Sequence, residues 1–246
     1  VRYLILSDIH ANWEGLEAVL ASARGEYDEI LCCGDLVGYG ADPNRVIDWV
    51  RENIAAVVRG NHDKACAGLD DLEWFNPVAR ASALWTQASL SHENLQYLVN
   101  LPQGPCPCNG FELIHGSPED EDEYLISIED ARLVSASVRI PLFFFGHTHL
   151  QGGFALQAAG VRRLTKVPLK EMEMSLALEP GVRYLVNPGS VGQPRDGDCR
   201  AAYVLYDSAQ GLVRYRRVPY DIAGAQRRII EAGLPPLLAA RLSAGV

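Results

Sequence analysis

Along the chain, short apolar runs alternate with helical stretches, and the runs stop at polar turns. Residues 2–6 read as a buried strand, because Tyr3 to Leu6 is continuously apolar and leads directly into Ser7-Asp8-Ile9-His10. Leu16, Val19, Leu20 and Ala23 then recur at helical spacing, and Gly25 suits the end of that helix. Ile30 to Cys33 is a second strand, ending at Gly34-Asp35. Asp42-Pro43 opens a second helix, with a carboxylate at the N-cap, proline at the first position and Val46, Ile47 and Val50 on its inner face. Ala55 to Val58 is a third strand, ending at Arg59-Gly60-Asn61-His62-Asp63. Residues 64–104 are predicted helical, with starts at Asn76-Pro77 and Ser91 and with Leu84, Ala88, Leu95 and Leu98 turned to the core. After a loop from Pro102 to Asn109, Phe111 to Ile114 is a fourth strand that ends at His115-Gly116-Ser117-Pro118. An acidic loop follows, then a helix opened by Ser127, then a fifth strand, Leu142 to Phe145, which ends at Gly146-His147-Thr148-His149.

Beyond residue 150 the pattern changes. Gly153–Gln157, Arg162–Val167, Ser175–Leu178, Arg183–Val186, Ala201–Tyr206 and Leu212–Arg217 are short strands joined by turn residues. With no helices between them they predict a mostly antiparallel second sheet, beside a sheet built from the first five strands. A helix from about Asp221 to Ala232 is ended by Gly233 and Pro235-Pro236. The expected class is α/β. It is read as one domain over residues 1–246, with a helical insert at 64–104 and a C-terminal helical segment at 221–246.

Composition narrows the choice of partners. The formal charge is −9 and the sequence pI about 5.2, which argues against the basic footprint of a nucleic-acid binder. A metal site makes its own positive field, so an anionic small molecule stays compatible. There is no apolar run of the ~18 residues that a membrane span needs, and Tyr3 to Leu6 reads as a fold element rather than a leader. The six cysteines, Cys32, Cys33, Cys66, Cys106, Cys108 and Cys199, are expected to be reduced thiols of a cytoplasmic protein. Cys106-Pro-Cys108 has the wrong spacing for a zinc pair.

The polar motifs Asp8/His10, Asp35, Asn61/His62, His115 and His147/His149 each follow an apolar strand, so a largely parallel arrangement brings them to one edge. A plain strand would point His147 and His149 to opposite faces, so Gly146 is expected to turn the chain and aim both rings at a common target. Two carboxylates, one amide oxygen and several imidazoles, without thiolate, suit manganese, iron, zinc, nickel or cobalt, and their number suits two ions. Asp35 can bridge the two. Asp8, His10 and His149 would complete one shell, and Asn61, His115 and His147 the other. Two divalent ions against two carboxylates leave a positive excess that attracts a phosphate ester.

These residues resemble the calcineurin-like metallophosphoesterase superfamily, whose signature is D-x-H, G-D, G-N-H-[DE], H and G-H-x-H in order. All five blocks are present: Asp8-Ile9-His10, Gly34-Asp35, Gly60-Asn61-His62-Asp63, His115 and Gly146-His147-Thr148-His149. Asn187-Pro188-Gly189-Ser190 and Gly233-Leu234-Pro235 look like the small bacterial and archaeal members, the phosphodiesterase type. The resemblance implies a four-layer α/β/β/α sandwich, with a dimetal centre at one edge of the central β-sandwich and manganese as the favoured metal. It also implies in-line hydrolysis of phosphodiesters or small phosphorylated molecules by a metal-bridging hydroxide. His62 would be the general acid, with a pKa near neutrality, and Asp63 would orient it. Nucleotide pyrophosphatase, nuclease and protein phosphatase activities, or a non-catalytic scaffold, are the alternatives. The Asp-Arg pair that protein phosphatases carry in G-D-x-x-D-R-G is missing from Gly34 to Gly40, which puts phosphoprotein substrates in doubt. His92, the run Glu119 to Glu123 and Arg195 read as surface residues. Asn12 and Tyr39 are explained by capping and packing as well as by substrate contact.

Overall fold

The computed structural model describes residues Val1–Val246. Its strands and helices, in chain order, are β1 (Arg2–Leu6), α1 (Trp13–Ser22), β2 (Glu29–Cys32), α2 (Pro43–Asn53), β3 (Ala56–Val57), α3 (Asn61–Cys66), α4 (Pro77–Ser89), α5 (His92–Val99), β4 (Cys106–Pro107), β5 (Glu112–Leu113), α6 (Ile128–Leu133), β6 (Leu142–Phe144), β7 (Gly152–Gln157), β8 (Gly160–Leu164), β9 (Glu173–Ala177), β10 (Arg183–Asn187), β11 (Ala201–Asp207), β12 (Leu212–Val218), α7 (Ile222–Glu231) and α8 (Pro236–Ala244). They form two six-stranded mixed sheets, ordered β3-β2-β1-β11-β12-β9 and β4-β5-β6-β10-β7-β8.

Alternation along β1 shows how the layers are built. Leu4 and Leu6 point into a core shared with Leu16 and Val19 of α1 and Val46, Ile47 and Val50 of α2. Tyr3 and Ile5 point the other way, into a core between the sheets with Phe144, Val186, Val204 and Tyr215. On the far side of the second sheet, Phe143, Phe145 and Leu185 pack against Ala131 of α6 and Val134 just beyond it. The order is therefore helix, sheet, sheet, helix, an α/β sandwich.

The strand partition differs from the expected one. The five motif strands do not share a sheet: β1, β2 and β3 run parallel in the first, and β5 and β6 run parallel in the second. Later strands complete both sheets. β11 pairs antiparallel with β1, and β10 lies parallel to β6 and antiparallel to β7. The motif loops still meet, because they leave the two parallel sets at the same end of the sandwich.

Three local expectations also change. The buried face of α4 is Ala79, Ser82, Ala83 and Thr86, so Leu84 and Ala88 are exposed. Asp42 precedes α2 but makes no side-chain cap; its carboxylate binds Arg228 instead. Pro235-Pro236 separates α7 from a further helix, α8, which packs on it through Ala225, Ile229, Leu238 and Leu242. No helix is long and apolar enough to cross a membrane.

Candidate metal centre

The backbone at the motif loops is strained. Asp8, His10, Asp35, His147 and His149 all have positive φ, at 53°, 50°, 54°, 64° and 59°. Such conformations cost non-glycine residues of order 1–3 kcal/mol each and persist only where the surroundings enforce them. Here the loops hold one another: Asp8 N–H donates to the Gly34 carbonyl and His10 N–H to the Asp35 carbonyl, both at 3.0 Å, and Gly146 N–H donates to the His115 carbonyl at 2.8 Å. The two histidines turn through their own left-handed backbone, and Gly146, expected to supply that turn, does not appear among the positive-φ glycines. Glycine is needed at 146 for space, since a Cβ there would lie 2.0 Å from Ser7 Oγ and 2.9 Å from Asp8 Oδ2.

The side chains fall into two groups that share one residue. Ligand-capable atoms of Asp8, His10, Asp35 and His149 lie within 4.8 Å of one another, as do those of Asp35, His115 and His147. Asp35 Oδ2 is 3.4 Å from His10 Nε2 and 3.5 Å from His115 Nε2. Asn61 Oδ1 joins the second group, 3.2 Å from His115 Nε2. Hydrogen bonds fix the tautomers, because a carbonyl can only accept. His10, His115 and His149 donate Nδ1–H to the carbonyls of Val37, Cys33 and Gln193 at 2.9, 2.7 and 2.6 Å, which turns Nε2 of each into the site. His147 is reversed: its Nε2–H donates to the Asp122 carbonyl at 3.1 Å, so its lone pair is on Nδ1. His10 Nε2 and His149 Nε2 face each other at 3.0 Å.

Charge is distributed to match. Burial disfavours ionisation of Asp8, but His149 beside it outweighs that and holds the carboxyl at about 2. Burial likewise opposes charge on Asp35, and His115 and His62 bring it well below the usual carboxylate range. Burial takes His10 well below the usual imidazole value and lowers His149, and burial together with His115 pushes His147 down to about 3. His115 is the exception: burial works against its charge, yet Asp35 raises it to about 10.

His62 and Asp63 sit close by, but not in the expected relationship. The His62 ring lies 4.3 Å from Tyr39 and 5.0 Å from both His10 and Phe75, and its Nδ1 is buried without a partner. Asp63 does not orient it. The Asp63 carboxylate accepts from the N–H groups of Leu36, Val37 and Gly60 at 2.8, 3.3 and 3.0 Å, tying the Asp35 loop to the start of α3. Burial first, and then the Asp35 charge, raise Asp63 to about 7. The near-neutral pKa expected of His62 is not found either, since burial lowers it to about 4.

Residues that the motifs do not name complete the centre. Asn187 Nδ2 donates to the Gly146 carbonyl at 2.9 Å and to Thr148 Oγ1 at 3.0 Å, and Ser190 Oγ donates to the Asp8 carbonyl at 2.7 Å. The Asn-Pro-Gly-Ser turn was the visible signal for both. Asn12 caps α1 by accepting from Gly15 N–H at 3.0 Å, and it also donates to the Gly192 carbonyl at 2.9 Å. The acidic loop is not simply solvated: Glu121 is buried against Arg59 at 2.7 Å, and Asp122 presents its carbonyl to His147. Arg195 is not a free surface residue. It is half-buried over the Tyr39 ring at 5.5 Å, and Gln193 Oε1 holds it at 3.0 and 3.3 Å. His92 is exposed at the start of α5, away from the site.

The donor set fits divalent cations. Imidazoles with fixed, inward-facing nitrogens, low-pKa carboxylates and an amide oxygen are nitrogen and oxygen ligands, and no thiolate takes part; His115, which Asp35 holds protonated, would give up its Nε2 proton to a bound ion. Comparison with known proteins agrees. Residues 1–211 match the family model described as the calcineurin-like phosphoesterase superfamily domain. An uncharacterized protein of Methanocaldococcus jannaschii is 34% identical over 249 residues, covering 98% of this chain and 97% of that protein. The crystal structure of a metallophosphoesterase from Sphaerobacter thermophilus is 40% identical with a TM-score of 0.86, covering 100% of this chain and 99% of the other. A hypothetical protein from Pyrococcus horikoshii shares the fold, with a TM-score of 0.80 at 20% identity over 100% of this chain and 98% of its own. The chain therefore belongs to the calcineurin-like phosphoesterase superfamily.

Proposed function

We propose that this protein hydrolyses phosphate esters, most readily phosphodiesters or small phosphorylated molecules, at a centre of two divalent transition-metal ions with manganese favoured. The observation that carries this reading is the pair of donor groups sharing Asp35. Asp8, His10 and His149 with Asp35 would hold one ion, and Asn61, His115 and His147 with Asp35 the other. Bound there, such ions polarise phosphoryl oxygens and make water acidic enough to attack near neutral pH.

The chain's own residues prepare the rest. The Nδ1–H bonds to backbone carbonyls aim the Nε2 atoms of His10, His115 and His149 at the ions, and the bond to Asp122 does the same for His147 Nδ1; His115 Nε2 would release its proton on binding. Arg195, with no carboxylate partner, offers a fixed positive charge for a phosphoryl oxygen. His62 is neutral in the free protein. An anionic phosphate beside the ring raises its pKa by favouring the charged form, which equips it to deliver a proton to the leaving oxygen. Asp63 acts at a distance, by fixing the loop that carries Asp35. A cytoplasmic setting is part of this reading, in keeping with six cysteines that form no disulfide.

The test is hydrolysis of bis-p-nitrophenyl phosphate and p-nitrophenyl phosphate by the manganese-loaded protein. The diester should turn over, chelation should abolish the activity and manganese should restore it. No turnover of either compound by metal-loaded protein would favour a binding scaffold on the same fold.

A further inference from the structure

Beside Asn61, His62 and His147 the surface opens into a cleft of about 270 Å3. Four of its other lining residues are aromatic: Tyr39, Trp74, Phe75 and Tyr124. Three of these rings already rest against the histidines. Tyr39 is 4.3 Å and Phe75 5.0 Å from His62, and Tyr124 is 3.8 Å from His147. Two remain open to solvent, Trp74 at 91% and Tyr124 at 48% exposure. Large aromatic surface left in water at the mouth of a polar site marks a place that a ligand covers.

The polar atoms of the cleft narrow the ligand. Asn76 spends its side-chain oxygen on the cap of α4, accepting from Val78 and Ala79 N–H at 3.1 and 3.0 Å, and its amide N–H groups remain as donors. Asp70 and Asp122 add carboxylate acceptors, both neutralised from behind by Lys64 Nζ at 3.5 and 2.5 Å. No lysine or arginine lines the cleft, so it does not suit a run of further phosphates. Flat apolar walls with one donor edge and one acceptor edge match a planar heterocycle that carries carbonyl and amino groups.

We propose that this cleft is a nucleobase subsite, and that the substrate is a phosphate ester of a nucleoside whose phosphorus lies against the two donor groups. The proposal rests on the phosphoesterase reading above and adds the substrate class. Stacking is the dominant contact, with Trp74 and Tyr124 as the open platforms.

Affinities of AMP, ribose 5-phosphate and phenyl phosphate, measured by calorimetry and tryptophan fluorescence on the manganese-loaded protein, test it. AMP should bind about tenfold or more tightly than ribose 5-phosphate, the usual scale for stacking one base. Trp74→Ala should erode that preference while leaving ribose 5-phosphate affinity unchanged; Trp74 is exposed and touches none of the histidines, so its truncation spares the core and the metal site. Equal affinity for AMP and ribose 5-phosphate would overturn the proposal. A Trp74 variant that weakens both ligands alike, or phenyl phosphate binding as tightly as AMP, would do the same. The outcome is separable from the function test above, because a base preference without diester hydrolysis keeps the subsite and removes the enzyme.

Discussion

Two buried polar clusters in this molecule invite comparison, one around Asp35 and one around Arg217. Arg217 is 1% exposed, and all three of its guanidinium nitrogens are engaged. Nε donates to Gln151 Oε1 at 3.1 Å, Nη1 to the Arg200 carbonyl at 3.1 Å, and Nη2 to Asp196. Asp198, nearby, is bound in turn by Arg200 at 2.6 Å. That cluster is nearly closed: each carboxylate faces a guanidinium, and Asp196 Oδ1, without a hydrogen bond, has Lys166 Nζ at 3.8 Å. The Asp35 cluster is the opposite. It gathers two carboxylates and the inward-facing nitrogens of four histidines, on backbone strained at five positions, with His10 Nε2 and His149 Nε2 facing each other at 3.0 Å. Burying polar groups is tolerable when they satisfy one another, as around Arg217. Around Asp35 the groups are placed so that a cation could satisfy them. The contrast separates a polar cluster that holds the fold from one whose donor atoms could hold a metal ion.

Breaking each cluster should therefore give different phenotypes. Asp35→Asn should weaken both ions together and lower diester turnover by about a thousandfold or more, because charge stabilisation at the reacting centre is the largest catalytic contribution. Metal analysis and kinetics check this, and full occupancy of both sites in the variant would rule out the shared role. Arg217→Leu should do the reverse, destabilising the fold by about 3–5 kcal/mol because Asp196 loses its buried partner, while turnover per folded molecule is kept. Denaturant unfolding alongside kinetics reads both effects. His62→Gln sharpens the comparison inside the metal region. Turnover should fall by about a hundredfold with metal content near that of the parent protein. Loss of both ions in that variant would make His62 a ligand instead.

Much of this was legible in the chain. The apolar runs before Asp8, Asp35, Asn61, His115 and His147 are strands or lead out of strands, because a short apolar run stopped by Gly, Asp or Asn has few other ways to fold. Which sheet each strand joins was not legible. Pairing of β10 with β6 and of β11 with β1 is decided by contacts far apart in sequence, which no local pattern encodes. The inner face of α4 was misread for another reason: it is made of Ala79, Ser82, Ala83 and Thr86, residues too small or polar to stand out, while Leu84 sits outside. Chain adjacency pairs Asp63 with His62. In the fold its carboxylate meets the Leu36 and Val37 amides of another loop. The parts of Gln193 and Arg195 depended on a turn more than forty residues from His149, whose Nδ1 it receives.

The central claim is that two cations share Asp35, and anomalous diffraction from crystals grown with manganese tests it most directly. The account predicts two peaks about 3.5–4 Å apart, the spacing of two-metal hydrolytic sites. Asp35 should lie between them, with His10 and His149 on one side and His115 and His147 on the other. A single peak, or none, with the imidazoles still facing one another, would contradict it.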